Sequence, residues 1–527
     1  MSSSKKSPTL HSDPAGNASI AMIAKAFYLV TRLCIPPLVL SYISLSEYGL
    51  WTACFILIMY VGLTDVGFSS VYVRFTARYH AEDNIDGINR LLSTGVTMLT
   101  CMALVIILVV WALLPSILEF LKIDVLYREK AGILILGTMS MFLLDLTLGA
   151  YCYLLHGLQR IKEEQSVAIV GYILEPTLIF ICLYLGFGVY SLLIAFVLRY
   201  VMSLLSFMYL AHHFLPGLKV RFRYFDKKML RHFYGFGAIV QASAFCATVL
   251  FSLDRILSGY FLGPSGMALF DLSTKLPVSA LAIPSAISNV TMATGSRHAA
   301  QDDMEAIRSL YRQSTRSTGL IAAIPLGFIA AFSAPIGMAW LGTKMGELNG
   351  LTLIMTLTAL WSYLHIITGP GSSILRAMGK VENEFVYHGL RVAMLLIWVS
   401  AMLFLMPTNL EGLAWGLAIG SAMASSMYIL VNQRILHVPM RYLLHDAIIP
   451  GLFAFLLGGL FRLLWELSIP STLGRWSTLA ILGVVGMLYT FTYLLVCWSY
   501  ILTPAERVNL KDLRGKFLGK LFWRQKR

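Results

Sequence analysis

The sequence predicts an all-α polytopic membrane protein of about fourteen transmembrane helices. Two six-helix bundles, related by an internal repeat, are followed by two extra helices. Three observations predict this fold. Of the 527 residues, 57% are hydrophobic and 13% charged, whereas a soluble chain carries about a quarter charged residues. Stretches of roughly twenty apolar residues, the length a bilayer asks of a helix, recur from end to end. Similar blocks also return in order at nearly one offset.

Residues 1–18 are short, polar and predicted to be a disordered cytoplasmic N-terminus. They do not read as a cleaved signal peptide, because the apolar region after them is long and no small-residue cleavage site closes it. Hydropathy then marks spans at 19–44, 49–73, 91–114, 131–156, 166–187 and 189–213, the N-terminal bundle (19–213). The segment 214–234 is a basic cytoplasmic linker. Spans at 235–262, 267–293, 318–341, 350–374, 384–406 and 411–433 form the C-terminal bundle (235–433). Helices thirteen and fourteen lie within 434–502, at 447–467 and 475–502. The tail 503–527 interleaves basic residues with Leu518, Leu521, Phe522 and Trp523. It reads as an amphipathic segment on the anionic inner leaflet, or as a solvated tail.

The net charge is +14. Sorting the bases by loop explains it. One membrane face collects Lys5, Lys6, Arg74, Arg78, Arg90, Arg160, the run from Lys219 to Arg231, Arg297, Arg308, Arg312, Arg316 and the basic tail. The other holds Lys122, Arg128, Lys130, Lys344 and Arg475. The positive-inside rule puts both termini in the cytoplasm. Charge spread over one membrane face also argues against a nucleic-acid partner. Seven cysteines lie in apolar runs and none forms CxxC, so neither a disulfide nor a metal is expected.

The repeat rests on three blocks. "RYHAEDNIDGINRLL" (78–92) aligns with "RHAAQDDMEAIRSLY" (297–311), matching Arg78 with Arg297 and Asp83 with Asp302. "LLHGLQRIKEE" (154–164) aligns with "ILRAMGKVENE" (374–384), matching Glu164 with Glu384. "LSEYGLW" (45–51) aligns with "LGPSGMA" (262–268). An even number of helices per bundle makes the repeats parallel, related about the membrane normal.

Four segments, "LSEYGLW", "GLTDVGFSSVYVRFTA", "LDRILSGYFLGPSGMALFDLSTKL" and "LRAMGK", resemble the polysaccharide-transporter branch of the multidrug/oligosaccharidyl-lipid/polysaccharide (MOP) exporter superfamily. The likeness is to Wzx-type oligosaccharide flippases and covers residues 19–440. It implies two bundles in a V around a central cavity, in a bacterial inner membrane. It implies alternating access carrying an undecaprenyl-diphosphate-linked oligosaccharide from the cytoplasmic to the periplasmic leaflet. O-antigen, exopolysaccharide or capsule repeat units are the implied cargo. A polysaccharide polymerase and chain-length proteins are the implied partners, beside membrane lipids, and the chain is expected to be a monomer. The peptidoglycan-precursor (lipid II) flippase and the multidrug exporter of the same superfamily stay open. So does a membrane glycosyltransferase or polymerase, which would want catalytic acids on a sizeable external loop. The external loops are short apart from 115–130, and no P-loop, GxSxG or HExxH occurs. A transporter rather than an enzyme is expected. No cofactor is expected beyond a coupling proton or sodium ion.

Charges in hydrocarbon are expensive, so each must face a cavity or a partner. Asp254 and Arg255 are adjacent and cannot pair on one helix. Asp271 and Lys275 are four apart and can. Arg255 and Asp271 share a depth across the Gly263–Gly266 hairpin. Asp254, Arg255, Asp271 and Lys275 therefore read as a structural charge cluster, or as a cluster that opens with transport and exchanges an ion at Asp254. Lys25 can pair with Asp65, and Glu175 with Arg199. Arg32, one turn before Pro36 and Pro37, has no acid at its depth on helix two. It is the first choice for substrate, because its fork matches phosphate oxygens bidentately. Arg391 is the second choice, with Lys25 and Arg199 as further cations. Asp145, Asp254 and Glu175 are the ion-coupling candidates. Arg462 and Glu466 read as a snorkelling pair near a helix end.

Overall fold

The computed structural model describes residues 14–62, 65–227, 229–230, 237–380, 382–470, 473–501 and 507. Among them the structure is helical, with no strand. Among the described residues twelve helices are long and apolar enough to cross a membrane, thirteen if a bent pair over Ser252–Ala280 and Ala282–Ala299 is one span. The chain is a multi-pass membrane protein. The expected break between the spans 235–262 and 267–293 is present as a kink within Gly237–Ala280, at Gly263 (φ 70°, ψ −164°). Only a residue without a Cβ adopts that conformation cheaply.

Compactness divides the chain into residues 1–272 with 408–413, and residues 273–407 with 414–527. The division falls within Gly237–Ala280.

In the first unit the helices are α1 (Pro14–Leu40), α2 (Leu45–Gly62), α3 (Asp65–Ala81), α4 (Ile85–Phe120), α5 (Val125–Leu148), α6 (Ala150–Gly157), α7 (Ile161–Tyr184) and α8 (Tyr190–Phe214). The long helix α9 (Gly237–Ala280) follows and runs into the second unit. Residues 14–18 are helical, as part of α1, where disorder was expected. The expected span 49–73 falls on α2 and α3, and residues 63 and 64 between them lie outside the described residues. Helix α4 exposes Leu104, Val105, Leu108 and Trp111, an apolar surface that belongs in lipid. Helix α1 packs on α7, α7 on α8, α2 on α5 and α3 on α6.

The described part of the linker lies on α4 through buried polar side chains. Asn89 Nδ2 donates to Gly217 O (3.2 Å) and its Oδ1 accepts from Lys219 N (2.8 Å). Ser93 and Thr94 accept from Arg221 N and Asp226 N at 3.1 and 3.0 Å. Each buried hydroxyl or amide is thus satisfied by backbone that has no ladder of its own. The tail 508–527 lies outside the described residues.

The second unit is built around α11 (Met304–Leu341), with α10 (Ala282–Ala299), α12 (Leu351–Ala377), α13 (Glu382–Leu405), α14 (Asn409–Leu436), α15 (Met440–Leu443), α16 (Ile449–Ser468) and α17 (Arg475–Val496). Pro325 and Pro335 interrupt the α11 bond ladder, and Phe332 between them leaves helical geometry (φ −105°, ψ 20°). The bend seats Phe332 against Leu482 and Trp465.

The repeat is visible in the backbone. Asp83 and Asp302 both take positive φ (51° and 53°). The next residues cap helices identically: Asn84 accepts from Gly87 N (2.8 Å) and Asp303 from Ala306 N (2.9 Å). Gln159 and Gly379 repeat the pattern, at φ 59° and 77°.

Candidate functional site

The buried ions of the first unit form two networks. One joins α1, α7 and α8. Arg32 Nη1 lies 3.3 Å from Glu175 Oε1, and Arg199 Nε lies 3.4 Å from Oε2. The expected pairing of Glu175 with Arg199 is present. Arg32, expected to find no acid, shares that carboxylate. The reason is packing: α1 lies against α7, so the acid comes from the seventh helix rather than the second. Aromatic rings complete the shell. Arg32 sits over Tyr28 (5.3 Å) and Arg199 over Tyr200 (4.4 Å), while Tyr28 meets Tyr172 edge-on. Asp145 on α5 is within electrostatic reach of Tyr200. The Glu175 side chain is 5% exposed, Arg199 15% and Arg32 28%, so Arg32 is the most accessible member.

Two guanidinium groups against one carboxylate leave this trio with a surplus positive charge. Lys25 lies two turns before Arg32 on α1 and is exposed. Its expected partner, the Asp65 side chain, lies outside the described residues.

The second network joins α2 to α9. Asp271 receives Arg255 Nη2 (3.3 Å) and the Tyr48 hydroxyl (3.1 Å). Asp254 lies within electrostatic reach of Arg255 and Tyr60, and Tyr60 hydrogen-bonds Ser252 at 2.7 Å. Lys275 follows one turn along α9. The backbones also meet. A Cβ on Gly49 would lie 1.9 Å from the Pro264 carbonyl oxygen, and Ser46 Oγ is 2.9 Å from Ser265 Oγ. Tyr48 and Tyr60 were not singled out in the sequence, because a tyrosine in an apolar run reads as core.

In the second unit Arg391 is 5% exposed and sits over Trp361 at 5.2 Å. Beside it, His365 Nδ1 and Tyr387 Oη are 2.7 Å apart, and Tyr387 Oη meets Ser425 Oγ at 3.2 Å. Tyr387 stacks on Tyr428, which accepts from Ser372. The sequence flagged Arg391 alone of this group. Trp361 also walls an apolar cavity of about 310 Å³ with Leu364, Trp415, Leu452 and Phe455. Arg462 and Glu466 pair at 2.8 Å as expected.

A long broken helix, proline-bent spans and buried ion networks characterise this multi-pass helical membrane fold. Three solved structures share it. The lipid II flippase MurJ, in an inward closed conformation, aligns with TM-score 0.68 at 13% identity, over 90% of this chain and 97% of that one. An inward-facing multidrug resistance transporter of the MATE family of the MOP superfamily aligns with TM-score 0.63 at 14% identity, over 80% and 98%. A MOP superfamily transporter from Pyrococcus furiosus, described as having a binding pocket of reverse polarity, aligns with TM-score 0.55 at 16% identity, over 80% and 95%. No curated protein matches the sequence. A profile of the polysaccharide biosynthesis protein family matches residues 42–344. The chain belongs to that family.

Proposed function

We propose that this protein is a flippase that moves a polyprenyl-diphosphate-linked oligosaccharide from the cytoplasmic to the periplasmic leaflet of a bacterial inner membrane by alternating access. The observation that carries this reading is the surplus cation on Arg32, Glu175 and Arg199. A diphosphate needs cations in a low-dielectric setting, and a guanidinium fork binds it bidentately. A multidrug exporter for cationic drugs would want the opposite balance. Because Arg32 is the accessible member, an incoming phosphate can take its fork from Glu175. The carboxylate keeps Arg199. Arg391 over Trp361 offers a second such cation, beside an apolar cavity suited to a prenyl chain. The asymmetry of basic residues supports cytoplasmic termini.

The test is reconstitution in proteoliposomes with fluorescent undecaprenyl-diphosphate-linked oligosaccharide. Arg32→Ala should abolish translocation at normal abundance, Arg32→Lys should restore part of it, and Arg391→Ala should give a weaker defect. Unchanged translocation in Arg32→Ala overturns the reading. Lipid II carries the same diphosphate and tail, and the likeness to MurJ over most of the chain favours it as the second reading. Cells lacking this protein separate the two: loss of surface glycan supports the first, and loss of cell-wall synthesis the second.

A further inference from the structure

Outside these networks, three metal-ligating side chains converge where α6 turns into α7. Cys152 and His156 are four residues apart on α6, on one face. Gln159 takes positive φ (59°), and the turn brings Glu164, in the first turn of α7, back over that face. The donor atoms of Cys152, His156 and Glu164 all lie within 4.8 Å of one another. His156 Nε2 is 3.2 Å from Glu164 Oε2, yet this buried nitrogen makes no hydrogen bond. The carboxylate is held in place, its Oε2 accepting from Gln165 Nε2 at 2.8 Å. Ligands around a tetrahedral zinc ion, bonded at about 2.0–2.3 Å, stand roughly 3.5 Å apart. Small side-chain rotations close the difference.

The repeat supplies an independent comparison. At the same offset His156 falls on Arg376, Glu164 on Glu384 and Cys152 on Ser372. There Arg376 and Glu384 form an ion pair. One half of the chain therefore holds a permanent ion pair. In the other half arginine gives way to histidine and serine to cysteine, and both changes turn a poor ligand into a good one.

We infer that Cys152, His156 and Glu164 form a binding site for one divalent zinc ion, with a fourth position left to water. A mixed sulfur, nitrogen and oxygen donor set suits zinc and disfavours magnesium or calcium. Bound metal would pin the α6–α7 turn as the ion pair pins its counterpart. The absence of CxxC hid the site, because its ligands come from an i,i+4 pair and the next helix.

The experiment uses the full-length protein in detergent, purified without a histidine tag and stripped with chelator. Zinc alone is titrated against a chromophoric competitor. One saturable zinc per chain is expected, with affinity at least about tenfold weaker in Cys152→Ser and in His156→Arg. His156→Arg recreates the ion pair of the other half, so it should stay folded and monodisperse while losing the metal. Cobalt in place of zinc should give a thiolate charge-transfer band in the near ultraviolet that Cys152→Ser removes. Absence of a one-to-one site, or a site that both variants leave intact, overturns the inference.

Discussion

Glu175 on α7 holds Arg32 of α1 at 3.3 Å across 143 residues of sequence, and its other oxygen meets Arg199. Removing this carboxylate should do more harm than removing either arginine. Glu175→Ala leaves two neighbouring guanidinium groups without their shared acid, at a cost of roughly 3–5 kcal/mol. Arg32→Ala should be milder, because Glu175 keeps Arg199. Thermal unfolding in detergent checks the order, and a wild-type melting temperature for Glu175→Ala would count against it.

Asp271 serves two donors, the Arg255 guanidinium and the Tyr48 hydroxyl. Asp271→Ala should lower the yield of folded protein, by a destabilisation of roughly 3 kcal/mol or more. Tyr48→Phe removes one hydrogen bond to a charged group and should cost about 1.5–3 kcal/mol. Arg255→Met combined with Asp271→Leu should be better tolerated than Asp271→Ala alone. Fluorescence-detected size-exclusion profiles would show this ranking.

Gly49 allows α2 to approach the carbonyl of Pro264 more closely than any side chain permits. Cysteines replacing Ser46 and Ser265, whose oxygens are 2.9 Å apart, should cross-link on mild oxidation. Adding Gly49→Ala should push the segments apart and lower that yield, at a cost of about 1–3 kcal/mol. Gel mobility under non-reducing conditions reads the result. Equal cross-linking with and without the Gly49 change would contradict the contact.

Asn89 is 2% exposed and bonds both Gly217 and Lys219. Asn89→Ala leaves that backbone unsatisfied, at a cost of about 1–3 kcal/mol. Limited proteolysis should then cut near residues 217–227 faster than in the wild type. Unchanged cleavage would mean the side chain does not anchor the segment.

Trp361 both faces Arg391 and walls the apolar cavity. Trp361→Leu keeps the wall apolar and removes the ring under the guanidinium. A transport defect matching that of Arg391→Ala would assign the tryptophan to cation placement. A defect shared with Trp415→Leu would assign it to the cavity.

Depth along the membrane was legible in the sequence, because counting residues from a helix end locates a charge. That is why the pairs Glu175–Arg199 and Arg255–Asp271 could be expected from helices adjacent in the chain. Lateral packing was not legible. Nothing in the pattern around Arg32 says that α1 lies on α7, so its acid was missed. His365, Tyr387 and Tyr428 were missed for another reason: within an apolar run their polar atoms leave no periodic signature. The repeat was legible from scattered identities such as Asp83 and Asp302, whose shared left-handed backbone the alignment alone could not reveal. Helix lengths fared worst where polar turns extend apolar cores, as in α4, which begins six residues before the expected 91.

The contact between Gly49 and Pro264 also bears on how the chain is made. The first compact unit draws on residues up to 272 and again on 408–413. A ribosome delivers these pieces in order, long after the opening helices have entered the membrane. Until Pro264 emerges, the narrow face at Gly49 has nothing to close on, and the Tyr48 hydroxyl lacks its carboxylate. The first half must therefore wait, inserted but unfinished, for sequence encoded in the second. A truncated chain ending at residue 234 would carry every helix from α1 to α8 and still leave that seam exposed to quality-control proteases.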